Sequence, residues 1–124
     1  MSDVMRFGLI GAGAIGKIRA DAIAKSPVCE LVAVADLDEG RARAAAPGAR
    51  YYSDANDLIA ANDVDAIIIS TPPPLHEPLA VAAAKAGKHV LVEKPMAATP
   101  DACERMIAAA RQAGTLLTVG YNHR

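Results

Sequence analysis

Apolar runs and helix-period segments alternate along the whole chain. The first run, Val4 to Ile10, reads as a strand. The stretch from Ala14 to Ser26 repeats apolar residues at helical spacing, which predicts one face made of Ile15, Ile18, Ala22 and Ile23. Cys29 to Ala35 reads as a second strand, and Asp38 to Ala46 as a helix stopped by Pro47 and Gly48. Arg50 to Tyr52 predicts a short third strand, and Asp54 to Asn62 a short helix with Ser53 or Asp54 as its N-cap. Asp65 to Thr71, "DAIIIST", is a continuous branched run, the pattern of a central strand buried on both faces. Pro74 to Gly87 reads as a helix that Gly87 stops, with Pro78 in its first turns, where a missing N–H costs least. His89 to Lys94 is the fifth strand and Thr115 to Gly120 the sixth. Between them lies the helix with the clearest ends: Thr99 as N-cap, Pro100 at the first helical position and Gly114 closing.

Strands joined by crossover helices make a parallel sheet covered on both faces. Six of them in sequence predict an α/β fold, a doubly wound Rossmann sheet in the order 3-2-1-4-5-6, as one domain over residues 1–124. No repeat or linker divides it. In such a sheet ligands sit beyond the carboxyl ends of the strands, so the residues that follow each strand carry the functional information.

Composition narrows the picture. Apolar residues make up 52% and charged residues 22%, a globular balance. A formal net charge of −1 gives no global field for nucleic acid or an anionic membrane. Asp3 and Arg6 interrupt the only apolar stretch near the N-terminus, which predicts no membrane span, no secretion signal and a cytoplasmic setting. Cys29 and Cys103 lie far apart and fit no metal-ligand spacing, so no metal is expected and both read as reduced thiols.

After the first strand comes "GAGAIG". Gly11 permits the tight turn, Gly13 lets backbone approach a pyrophosphate, and Gly16 lets the helix pack against the strand. The N–H groups that open the helix at Ala14 and Ile15 then face the phosphates. After the second strand comes Asp36, twenty positions past Gly16. A carboxylate there accepts hydrogen bonds from the ribose hydroxyls of an adenosine and repels a 2′-phosphate. Leu37 follows rather than an arginine, which favours NAD over NADP, with Arg41 and Arg43 nearby. Asp36 as a simple helix N-cap explains less, because Asp38 fills that place as well. After the fourth strand comes "STPPPLHEP", with Ser70, Thr71, Pro72 and, a turn further, His76. After the fifth come Glu93 and Lys94, and after the sixth "YNHR".

Together "GLIGAGAIG", Asp36, "STPPPLH", "VEKPMA" and "VGYNHR" resemble the N-terminal domain of the glucose–fructose oxidoreductase/inositol dehydrogenase/rhizopine-catabolism (Gfo/Idh/MocA) family, over essentially the whole chain. The "EKP" after the fifth strand is the most specific element. The resemblance implies an NAD(P)-dependent oxidoreductase that moves a hydride between nicotinamide and a sugar, cyclitol or related alcohol or carbonyl. It implies that Gly11, Gly13, Ala14, Ile15 and Gly16 bind the pyrophosphate and Asp36 the ribose. It further implies that Ser70, Thr71, Pro72 and His76 border the cofactor, and that Glu93 and Lys94 sit beside the nicotinamide, with Lys94 reaching the reacting oxygen. Asn122 and Arg124 match residues near the active site. Lys94 reads as the catalytic residue, as a proton relay or as an electrostatic clamp on a developing alkoxide.

Two departures from the family pattern stand out. Pro73 replaces the asparagine of the family's "TPN". Family members also continue into a larger α/β domain that supplies substrate contacts and a histidine. The chain reads as the cofactor domain without it, expected to bind dinucleotide, to turn over no polyol alone, and to self-associate as a homo-oligomer. The alternative is a stand-alone NAD-binding or sensing module without chemistry. A methyltransferase also uses a glycine-rich turn and an acid after the second strand, but the "GAGAIG" spacing and "EKP" argue against it. The Lys94–Pro95 peptide bond is expected to be cis, aiming Lys94 at the cleft.

Overall fold

The computed structural model describes residues 4–120. Strands β1 (Met5–Ile10), β2 (Cys29–Ala35), β3 (Arg50–Tyr52), β4 (Ala66–Ile69), β5 (His89–Glu93) and β6 (Leu117–Gly120) alternate with helices α1 (Ala14–Ala24), α2 (Glu39–Ala45), α3 (Ala55–Ile59), α4 (His76–Lys85) and α5 (Pro100–Ala113). All strand pairs are parallel, in the order β3-β2-β1-β4-β5-β6. This is the doubly wound Rossmann order, and it places the first and fourth strands side by side.

The uninterrupted branched run of β4 follows from that position. Successive side chains of a strand point to opposite faces, and both faces here are covered. Ile68 joins Leu9 and Val34 under α1 and α2, where Ala20, Ile23 and Ala42 close the layer. Ile67 and Ile69 join Val90 and Val92 on the other face, against Leu58 of α3, Ala83 of α4 and Met106 of α5. Alanines dominate the helix contacts and bring the helices close to the sheet.

The buried face of α1 differs from the one its spacing predicts. Gly16, Ala20 and Ile23 are buried, whereas Ile18 is 55% exposed and Ala22 is exposed. The helix approaches through its small residues, and that close approach turns the larger Ile18 outward. Several other elements are shorter than their patterns. β4 ends at Ile69, one ladder bond before the proline run: the N–H of Ser70 still donates to the carbonyl of Ile10 (2.8 Å). The proline run forms a 3-10 turn at Pro73–Leu75, so α4 begins only at His76. The helix ends follow their signals. Asp38, Asp54 and Thr99 accept N-cap hydrogen bonds from the N–H groups of Arg41, Asn56 and Ala102, and Gly114 closes α5 in the left-handed region (φ 71°). The Lys94–Pro95 peptide bond is cis. No helix among the described residues is long and apolar enough to cross a membrane.

Candidate functional site

The turn between β1 and α1 is built by two steric demands. Gly11 has φ +94°, and a Cβ there would stand 2.8 Å from the carbonyl oxygen of Ser70. A Cβ on Gly16 would fall deep inside contact with the Gly11 carbonyl oxygen. The turn, the start of α1 and the end of β4 therefore press together along backbone. Gly13 is different: nothing lies within 4 Å of where its Cβ would be. The backbone there faces open space.

α1 begins beside that space with no side-chain cap and no acid in its first turn. The N–H groups at Ala14 and Ile15 lack acceptors within the helix. Unpaired donors and the positive end of the helix dipole suit an anion.

Asp36 follows β2 across the turn. Its Oδ2 accepts from the Ala12 N–H (2.7 Å), and its Oδ1 from the Asp38 N–H (2.8 Å) and the Arg41 Nη2 (3.1 Å). The Tyr51 hydroxyl donates to the Asp36 carbonyl oxygen (2.8 Å) and fixes the backbone below. Burial works to raise the Asp36 carboxyl, and the hydrogen bonds from Asp38, Ala12 and Arg41 outweigh it, holding the group below its ordinary value. A depressed carboxyl binds its proton less readily when folded. Its contribution to stability is thus complete above the ordinary value of 3.8 and lost as pH falls through the lower folded value. Urea unfolding at a series of acid pH values should show Asp36→Asn losing less stability below that point than the parent. Equal acid slopes would count against the arrangement.

These elements frame a cleft of about 460 Å³. Gly11, Gly13, Asp36, Ser70, Thr71 and Pro72 line its floor and near edge, and Leu37, Leu75 and Leu79 supply apolar wall. Leu37 is 95% exposed at the mouth. Inside, Ser70 Oγ and Thr71 Oγ1 are buried with no hydrogen-bond partner. Orphaned buried hydroxyls are costly unless a ligand uses them. The donors at α1, the Asp36 carboxylate, the two hydroxyls and the apolar wall fit an adenine dinucleotide. A second hollow of about 530 Å³ opens by Cys29 and Glu30, at the amino end of β2. It lies away from the strand ends where the chemistry gathers.

The end of β5 is two strands from β1, roughly 10 Å along the sheet edge. Glu93 does not line the cleft. Its Oε2 accepts from Arg19 Nε (2.5 Å) and its Oε1 from Arg19 Nη2 (3.0 Å). His76 does not line it either. It is buried, with Nε2 2.8 Å from the Thr71 carbonyl oxygen and Nδ1 3.0 and 3.1 Å from those of Pro95 and Met96. The resemblance implies that His76 borders the cofactor and that Glu93 sits beside the nicotinamide; in this structure the side chains of both are held by protein partners. They tie the loops after β4 and β5 to their supports. Lys94, between them, is exposed. Asn122 and Arg124 lie outside the described residues. Among the described residues no group of three or more His, Cys, Asp or Glu side chains is placed to hold a metal.

Residues 5–121 match the family model described as "Oxidoreductase family, NAD-binding Rossmann fold", GFO_IDH_MocA. The chain belongs to this family. It carries the NAD-binding Rossmann domain of the GFO_IDH_MocA oxidoreductases. An inositol 2-dehydrogenase of Klebsiella pneumoniae is 41% identical over 123 residues, which cover 94% of this chain and 36% of that protein. The WlbA dehydrogenase of Bordetella pertussis, solved with NADH and UDP-GlcNAcA, superposes with a TM-score of 0.89 at 39% identity, over 97% of this chain and 36% of the other. GenD2 from gentamicin A biosynthesis, solved with NAD, gives a TM-score of 0.91 at 30% identity, over 97% and 35%. The chain spans about a third of the length of the relatives it matches.

Sequence reasoning overlooked Arg19. Glu93, an acid at the end of an apolar strand, was the only half of the pair that the sequence marked.

Proposed function

We propose that this GFO_IDH_MocA domain serves an NAD-dependent oxidoreductase acting on a carbinol or carbonyl carbon of a sugar, cyclitol or related small molecule. The observation that carries it is the nearly buried Asp36 carboxylate, 5% exposed, facing the same cleft as the uncapped start of α1. The N–H groups of Ala14 and Ile15 would hold the pyrophosphate, Asp36 the ribose hydroxyls, and Ser70 and Thr71 further polar groups. NAD, when bound, supplies the hydride acceptor. The chain supplies position and charge. Extended from α1 across β4, the cofactor would bring its reactive end toward Lys94, whose Nζ can donate to the reacting oxygen or relay its proton. The inositol 2-dehydrogenase and the UDP-GlcNAcA complex among the relatives support this substrate class.

NAD is favoured over NADP because Arg41 is already engaged by Asp36, and a 2′-phosphate would meet that carboxylate. Two further parts of the proposal are the cytoplasm, supported by the free thiols of Cys29 and Cys103, and a homo-oligomer, supported by Leu116, 68% exposed beside the edge strand β6.

Titration with NADH and NADPH tests the reading. Tighter NADH binding is expected, with Asp36→Ala losing roughly tenfold or more of the NADH affinity, a change of about 1.4 kcal/mol, and narrowing the preference. Equal or tighter NADPH binding by the unmodified chain would overturn the cofactor choice.

A further inference from the structure

Arg19 lies in the second turn of α1, and the first turn of that helix is where the anion-binding donors sit. Its guanidinium grips both carboxylate oxygens of Glu93, the last residue of β5. The pair is well sheltered: the side chains are 26% and 10% exposed. A bidentate arginine–carboxylate contact fixes orientation as well as distance. Gly120 pairs with Glu93 across the β5–β6 ladder. A Cβ on Gly120 would stand 2.5 Å from Arg19 Nη2 and 3.3 Å from Glu93 Oε1, so the glycine leaves the room that the ion pair fills. Lys94 is the next residue after Glu93, and the loop beyond it is held from another side by His76.

We propose that Arg19 is a positioning residue for Lys94. Through Glu93 it fixes the end of β5 to the helix that receives the pyrophosphate. It thereby sets Lys94 relative to the bound cofactor. It also keeps the Glu93 carboxylate engaged, so that this carboxylate does not draw in the neighbouring Lys94 ammonium. Without Arg19 a nearly buried carboxylate loses its partner, and Lys94 is the cation adjacent to it in sequence. The inference rests on the proposed function, because it concerns the residue assigned there to the reacting oxygen.

Two variants disturb the pair in independent ways. Arg19→Met keeps a long side chain and removes the charge. Gly120→Ala keeps both charges and intrudes on the guanidinium, a flexible group that can yield without unfolding the sheet. In the full chain, with its substrate, both variants should lower kcat by roughly tenfold to a hundredfold, the scale for small misplacement of a reacting group. KM for NAD should change less than threefold (about 0.7 kcal/mol). Arg19→Lys should restore only part of kcat, because a single ammonium does not reproduce the fork. With Lys94→Ala already in place, Arg19→Met should lower kcat no further.

A second readout does not need turnover. Lysines carrying ¹³C-methyl groups are followed by NMR, with the Lys94 signal assigned by Lys94→Arg. Arg19→Met and Gly120→Ala should each move that signal and change its response to NADH. Full additivity of Arg19→Met with Lys94→Ala, or a Lys94 signal that neither variant moves, would overturn the proposal. If the unmodified chain binds no NADH, the proposed function fails, and the position of the Lys94 signal in the free protein still decides the role of Arg19.

Discussion

Replacing Lys94 with alanine in the full chain is expected to lower turnover of a polyol or sugar substrate by roughly a hundredfold to ten-thousandfold, the usual contribution of a positioned acid–base group. NADH affinity should stay within about threefold, or 0.7 kcal/mol. The asymmetry follows from where the residue sits. The proposed pyrophosphate donors are at the start of α1, and the proposed ribose acceptor is Asp36, which follows β2. Lys94 is two strands away, exposed, and absent from the wall of the cleft. It contributes nothing to the adenosine half of the site. Its removal should therefore appear in kcat rather than in cofactor binding. Steady-state rates by absorbance of the reduced cofactor, with fluorescence titration of NADH, make the comparison. Retained kcat in Lys94→Ala would remove Lys94 from the chemistry, and a matching loss of NADH affinity would place it in the binding site instead.

Gly16→Ala is expected to destabilise the fold by about 1–3 kcal/mol, the range for inserting a carbon where none fits, and to weaken NADH binding by roughly tenfold or more. On helix propensity alone the sign would be the reverse, since alanine is better than glycine inside a helix by about 1 kcal/mol. Contact decides against propensity. The added Cβ would fall into the Gly11 carbonyl oxygen, and Gly11 is itself pressed against Ser70. No flexible side chain can give way, so α1 must back off from the turn and carry its N-terminal donors with it. Gly13→Ala separates the two consequences. Its Cβ would meet nothing within 4 Å and its backbone is extended (φ −72°, ψ −163°). Stability should hold within about 0.5 kcal/mol, as at open surface sites, while cofactor binding falls. Thermal melts and NADH titrations of both variants test this. A Gly16→Ala melt unchanged from the parent, or a Gly13→Ala protein that binds NADH normally, would contradict the assignment of the two glycines.

The turn after β1 and the acid after β2 were legible because their signals are local. Gly11, Gly13 and Gly16 fall within six residues; Gly11 and Gly16 answer backbone contacts that the spacing already implies, and Gly13 leaves open space beside the turn. Asp36 was legible as more than a cap because Asp38 stood ready for that role, and Asp38 takes it, accepting from the Arg41 N–H (3.1 Å). The half around β5 was less legible. Glu93 and His76 are marked by sequence as polar residues at strand ends, but their partners are 74 residues away in one case and 19 or 20 in the other. No spacing rule connects Arg19 to Glu93. Only the crossover that lays α1 against the same face as Glu93 brings them together.

The sequence by itself determined the order and type of the elements, the parallel sheet and the place of the cleft. Alternating apolar runs and helical segments leave little choice when each strand must be buried on both faces and each connection must cross over. It also determined where α5 begins and ends, since Thr99, Pro100 and Gly114 act on their own backbone neighbourhood. Only the tertiary structure decided which polar residues face the cleft and which hold the walls. Ser70 and Thr71 keep buried hydroxyls without partners, while Glu93 and His76 spend their hydrogen bonds on Arg19 and on backbone carbonyls. All four are polar residues that follow or end a buried strand. The difference arises because a polar side chain is committed or free according to what distant segments bring within about 3 Å of it, and that distance is a property of the folded chain.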